Sequence, residues 1–285
     1  MGKGVAKILA GIDNQKHEII ILCRSKKLGK KVIAELVHAT SNNKISIVLC
    51  DLTKLSEVKR AIIEIHDKHK FLDGIFINAG IGYASRRIET VDGFDSHFQV
   101  NYLSQFMLIL NVLDLLKKSE NGGRVIFNVT RLGKIFWDDM QMKKKWSYED
   151  GIFQAMLAKR MFLAKLHREM NNAKVSFIGF EIPKTVWSNQ LNIIPHYMKI
   201  MARIMKLFGT FISIEKCGEI IAPLFTENQK ESMHRSGGFI TWKKNEFIEI
   251  KEDYTLLNNE SQDRLWKISL ELCGNIKTNQ VVENL

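Results

Sequence analysis

Apolar residues in this chain gather into short β-branched runs separated by longer stretches of helical period. "EIIILC" (18–23), "ISIVLC" (45–50), "DGIFI" (73–77), "GRVIFNV" (123–129) and "KVSFIGF" (174–180) read as strands buried on both faces. Between them, "KKLGKKVIAELVHA" and "SEVKRAIIEIHDKH" space their apolar residues three and four apart, as in a helix lying on a core. Strands alternating with helices imply a parallel sheet. With right-handed crossovers it becomes a Rossmann-like doubly wound parallel sheet with helices on both faces. No repeat, low-complexity stretch or Pro/Gly linker divides the chain, so residues 1–285 read as one α/β domain closing in a strand and helix within 238–285.

The beginning does not fit this pattern. Residues 4–11, "GVAKILAG", read as a helix, yet only Met1, Gly2 and Lys3 precede them. A doubly wound domain opens with a strand and a glycine turn that feeds this helix, whose amide-rich end can hold a pyrophosphate. The first strand is missing from this chain as read. Either the start codon lies upstream or the protein has lost its central strand.

Composition narrows the partners only slightly. Hydrophobic residues make up 45% and charged residues 26%, which places the chain among globular proteins. A net charge of +11 favours anions: a phosphorylated cofactor, an acidic membrane surface or nucleic acid. The lysines are scattered, with one tight run at Lys143–Lys145, and no zinc-finger spacing or arginine-rich stretch supports a nucleic-acid partner. Cys23, Cys50, Cys217 and Cys273 form no C-x-x-C pair, so buried, reduced thiols in a cytoplasmic protein are expected. No signal peptide or apolar run of membrane-spanning length is found. His66 and His69 lack a third ligand, and no metal site is expected there.

Three places could carry chemistry. Asn78-Ala79-Gly80 ends the strand at 73–77, where small residues let a ligand approach the backbone, although a plain strand-to-loop turn would look the same. Asn101 interrupts the apolar stretch "FDSHFQVNYLSQFMLI"; asparagine is a poor mid-helix residue, so if buried it should hold a polar network or distort the helix. Lys159, in "GIFQAMLAKR", would on a generic helix be a surface charge.

Taken in order, these parts resemble the short-chain dehydrogenase/reductase family, particularly its retinol-dehydrogenase-like branch, over essentially the whole chain. "VAKILAG" resembles the helix after the glycine turn, with Met1-Gly2 matching the last places of T-G-x-x-x-G-[IM]-G. "ILCRS" matches the end of the second strand, where the branch carries an arginine for the 2′-phosphate of NADP, here Arg24. "CDLT" matches the adenine-contacting pair, Asp51 and Leu52. "NAG" (Asn78, Ala79, Gly80) and "VN" (Asn101) match the cofactor-wall and helix-asparagine motifs. "GKIFWDDMQ" and "RLWKISLELCG" look like signatures of the branch. The resemblance implies NADP as cofactor, with NAD as the alternative. It also implies hydride transfer on the carbonyl or alcohol of a small apolar substrate. Because most of the glycine motif lies outside the chain as read, it implies weakened cofactor binding too.

The departures fall on the catalytic residues. The family pairs tyrosine and lysine as Y-x-x-x-K, on one helical face, so that the ammonium favours the tyrosinate and the phenol can exchange a proton near neutrality. Four residues before Lys159 stands Ala155, which has no proton to give. Where the family reads N-V-S-S, this chain reads Asn128-Val129-Thr130-Arg131, so Arg131 takes the serine's place and Thr130 offers a hydroxyl one position early. "PKTVWS" keeps Pro183 and Ser188 of the family's P-G-x-V-x-T but has Lys184 for its glycine. Asn101 and Lys159 remain, in the family a relay pair, and in this constellation Lys159 reads as a contact to the cofactor's ribose. The expected function is a short-chain oxidoreductase with impaired turnover; the alternative is a non-catalytic ligand- or partner-binding pseudoenzyme.

Residues 195–212, "PHYMKIMARIMKLFGTFI", set Met198, Met201, Ile204, Met205 and Phe208 on one helical side and Lys199, Arg203 and Lys206 on the other. By resemblance this is a substrate lid. A packing helix ranks second and a peripheral contact with an acidic membrane third. A homo-oligomer is also open.

Overall fold

The structure is a computed structural model and describes residues 1–12, 16–130, 133–170, 173–187, 194–251 and 257–274. The chain begins with α1 (Gly2–Gly11), β1 (Ile19–Cys23), α2 (Lys26–Thr40), β2 (Ile45–Leu49), α3 (Leu55–Lys68) and β3 (Gly74–Ile77). A helical rod follows, made of α4 (Ser96–Phe98), a π-helical turn (Gln99–Leu103) and α5 (Ser104–Lys117). Next come β4 (Gly123–Val129), α6 (Tyr148–Glu169), β5 (Val175–Glu181), β6 (Thr185–Val186), α7 (His196–Leu207) and β7 (Phe211–Ile212). The chain closes with α8 (Ile214–Ile221), α9 (Pro223–Thr226), α10 (Gln229–Arg235), β8 (Phe239–Lys243), β9 (Glu246–Glu249) and α11 (Asn259–Leu272). Each strand foreseen from an apolar run is present, within a residue of its expected bounds.

These elements form two compact units, Met1–Asp51 with Pro183–Thr226, and Leu52–Ile182 with Glu227–Leu285. In the first, β1 and β2 pair in parallel from Ile19↔Ile45 to Cys23↔Leu49. Ala10, Leu36 and Ile45 form the centre of a small apolar cluster beneath them. Helix α1 crosses α8 at very close range. A Cβ on Gly4 would stand 2.1 Å from the Ile214 carbonyl oxygen, and one on Gly218 would stand 2.4 Å from the Gly4 backbone, so both positions require glycine.

The second unit holds a five-stranded sheet in the order β3-β4-β5-β8-β9. Its first four strands are parallel, as expected. The edge departs from a wholly parallel sheet, because β9 runs antiparallel to β8. The cause is local: Lys244 and Asn245 both hold positive φ (52° and 64°), the backbone of a two-residue hairpin turn that reverses the chain. Helix α5 is buried on nearly every side. Phe106, Phe162 and Trp266 meet at ring-centroid distances of 4.8–5.9 Å, locking α5, α6 and α11 together.

Candidate active site

In the second unit the segment after β3 is fastened by a polar stripe on the adjoining helical rod. His97, Asn101 and Gln105 are spaced four apart, and all three are buried. His97 Nε2 donates to the Gly82 carbonyl at 2.7 Å. Asn101 Oδ1 accepts from the Ile81 amide at 2.7 Å, and its Nδ2 donates to the Ile81 carbonyl at 3.0 Å. Gln105 Nε2 donates to the Ala79 carbonyl at 2.6 Å. Asn101 therefore does both things expected of a buried helical asparagine: it holds a network, and it lies within the π-helical turn, closed by Ser104 N donating to the Gln99 carbonyl. Gly80 is needed for the approach, since a Cβ there would lie 2.9 Å from Asn101 Oδ1. Of the three, only Asn101 stands out in the sequence by itself. The i, i+4, i+8 spacing of polar residues in "HFQVNYLSQ" is the signal that would have found the other two.

Asn78, the residue after β3, has a buried Oδ1 with no hydrogen-bond partner among the described residues. Leu52 contributes its carbonyl to Ser104 Oγ at 2.7 Å, and its side chain makes no polar contribution.

Helix α6 starts with Ser147 as N-cap, its Oγ accepting from the Asp150 amide at 3.0 Å, and runs unbroken to Glu169. The frame from Ala155 to Lys159 is therefore helical throughout. Both residues are buried, at 0% and 1% exposure, so the surface-charge reading of Lys159 fails. Lys159 Nζ donates to the Asn128 carbonyl at 3.2 Å. Burial, with no carboxylate facing it among the described residues, pushes its pKa down to about 7. Asn101 and Lys159 do not bond to each other; each holds a different backbone segment, Ile81 and Asn128. Tyr148 lies in the first turn of α6, its ring edge-on to Tyr83 at 5.0 Å.

Beside Lys159 a second buried cation grips the same strand end. Arg160 Nη1 donates to the Thr130 carbonyl at 2.8 Å, and its guanidinium stacks over the Phe239 ring at 4.6 Å. Thr130 thus marks where β4 runs into its loop. Arg131 and Ser188 lie outside the described residues.

The first unit holds the remaining sequence-chosen residues. Gly2 opens α1. Arg24 is exposed at the carboxyl end of β1, immediately before Ser25, the N-cap of α2. Asp51 follows β2, and Cys50 N donates to the Cys23 carbonyl at 2.9 Å, which ties the two strand ends together. Pro183 is exposed after β5, and the neighbouring Lys184 Nζ donates to the Gly209 carbonyl at 2.6 Å. Cys50, Cys217 and Cys273 are buried and in no disulfide, Cys273 with its pKa pushed up to about 12 by burial.

Comparison with known proteins agrees with this arrangement. The family profile described as short chain dehydrogenase matches residues 1–140. Human retinol dehydrogenase 12 is 25% identical over 283 residues, covering 96% of this chain and 83% of that protein. Human polyprenol dehydrogenase is 29% identical over 280 residues, with 96% and 82% covered. Among solved structures, L-sorbose reductase from Gluconobacter frateurii, complexed with NADPH and L-sorbose, superposes with a TM-score of 0.64 at 13% identity, covering 84% of this chain and 89% of that one. The parallel sheet, the asparagine-pinned loop after β3 and the buried lysine of α6 sit in a chain that is similar to the short-chain dehydrogenase/reductase family, and to its retinol-dehydrogenase-like members in particular.

Proposed function

We propose that this chain is an NADP(H)-type oxidoreductase by descent, built for hydride transfer on the carbonyl or alcohol of an apolar substrate, in which turnover is strongly reduced. One observation carries the reading: one helical turn before the buried amine of Lys159 stands Ala155, fully buried and without a proton to give. A positioned general acid is worth about 10²- to 10⁴-fold in rate, and alanine supplies none of it. Two relatives named for retinol and polyprenol support an apolar alcohol or aldehyde as the substrate class.

The residues in place suit a dinucleotide's sugar. Asn78 Oδ1 is a buried acceptor in want of a donor, and Lys159 has N–H groups beyond the one given to Asn128. A ribose hydroxyl, which both donates and accepts, answers each of them. The family resemblance gives Arg24 the role of cation for a 2′-phosphate, and Asp51 and Leu52 the adenine contacts. Bound nicotinamide would supply or accept the hydride. Lys159, near half-protonated at neutral pH, holds a proton at Nζ, but Ala155 has no hydroxyl to carry it onward. The same alanine favours a second reading, a non-catalytic protein that keeps the fold to hold a ligand.

The test has two arms. NADPH binding is followed by nucleotide fluorescence; no binding at millimolar nucleotide overturns the cofactor assignment. At equal nucleotide occupancy, Ala155→Tyr should raise the rate of long-chain aldehyde reduction by about 10² or more. A folded variant that turns over no faster than its parent overturns the catalytic reading.

A further inference from the structure

Helix α7 presents its apolar side to solvent. Ile200, Ile204, Leu207 and Phe208 are 45%, 51%, 86% and 79% exposed, and Met201 and Met205 extend the same surface. At about 100° per residue these six side chains sweep an arc of about 160°. Ala202, the one buried residue of α7, lies on the opposite side and marks the contact with the protein. Lys199, Arg203 and Lys206 fill the sector between Ala202 and the apolar arc, with Arg203 bordering Leu207.

The segment that carries this arc is charged in one sign only. The chain has 31 acidic residues in 285, yet residues 182–214 contain none, while Lys184, Lys199, Arg203 and Lys206 all fall there. The helix is also braced. The parallel pair β6 and β7, through Thr185↔Phe211 and Val186↔Ile212, brings together the two strands that flank α7 in the chain. Lys206 Nζ sits 4.2 Å over the Trp187 ring, which meets Phe211 edge-on at 5.1 Å. These contacts tie the basic side of α7 to the strand pair and leave the apolar arc exposed.

We propose that α7 docks this protein on an anionic lipid bilayer, lying in the interface with Ile200, Ile204, Leu207 and Phe208 in the acyl boundary and Lys199 and Arg203 at the phosphates. An amphipathic helix of this make-up binds by apolar burial together with attraction to anionic headgroups. A second copy of the chain is a poorer occupant, because apposing two such helices would bring two acid-free basic segments together. A lid closed on the chain's own substrate is poorer too, since an apolar substrate offers Lys199 and Arg203 no anionic partner. The inference is independent of whether the active site turns over.

The experiment is co-sedimentation of the full chain with vesicles of phosphatidylcholine alone and of phosphatidylcholine with phosphatidylserine, at low and raised salt. Binding to the anionic vesicles only, weakened by salt, is expected. Ile204→Asp and Phe208→Asp alter exposed positions, so thermal unfolding should be unchanged while vesicle binding falls at least about tenfold. Lys199→Ala and Arg203→Ala should each weaken binding roughly fivefold. Equal binding to neutral vesicles, or no binding to either kind, overturns the proposal. So does unaltered binding by Ile204→Asp and Phe208→Asp. Concentration-dependent dimerisation that Ile204→Asp abolishes, without vesicle binding, assigns the face to a second copy instead.

Discussion

Replacing Lys159 by methionine should remove a pH dependence from the protein's stability. In the folded chain burial lowers the lysine pKa from 10.5 to about 7. The unfolded chain therefore binds more protons at this position across that window, and stability rises with pH through it. Below the folded pKa the cost of burying the ammonium is full, at most about 5 kcal/mol; above the unfolded pKa it is gone. Between pH 7 and pH 9 this one group should add about 2 kcal/mol to the parent's stability. Methionine keeps the length and volume of the stem and cannot titrate. Its loss of the bond to the Asn128 carbonyl is an offset independent of pH. Urea unfolding of both proteins, followed by tryptophan fluorescence across that range, gives the difference directly. The variant's advantage should shrink by about 2 kcal/mol as pH rises from 7 to 9. A difference that stays flat, or grows with pH, would refute the account of a buried amine without a charged partner.

Two further substitutions probe the close approaches. Gly80→Ala places a Cβ 2.9 Å from Asn101 Oδ1, and pushing that side chain off Ile81 should cost about 1–3 kcal/mol, read as a lower unfolding midpoint. Gly4→Ala meets the Ile214 backbone oxygen at 2.1 Å, which no rotamer can relieve. It should lower the midpoint at least as far, and a neutral outcome would show that α1 does not need its close crossing with α8.

Much of this arrangement can be read from the chain because apolar β-branched runs have few alternatives to a buried strand; 123–129 matches β4 residue for residue. Asn78, Gly80 and Asn101 stand out for a related reason, as each is the wrong residue type for its surroundings unless a contact requires it. What stayed hidden depends on partners distant in sequence. Arg160 is buried because the Thr130 carbonyl and the Phe239 ring close over it, partners that its own stretch of sequence does not reveal. The π-helical turn at Gln99–Leu103 adds one residue to a helical repeat and leaves the apolar pattern nearly unchanged. In α7 periodicity separates the apolar from the basic side without saying which faces solvent; the burial of Ala202 settles it. The reversal into β9 rests on Lys244-Asn245, which lacks the glycine that usually announces such a turn.

The most direct test of the central claim is a side-by-side rate: NADPH-dependent reduction of retinaldehyde by this protein and by human retinol dehydrogenase 12, at saturating nucleotide and neutral pH. If Ala155 takes the proton donor's place, as proposed, turnover should fall at least about 10²-fold below the relative's. Turnover within a few-fold of the relative would mean that another group supplies the proton, and the account would be wrong.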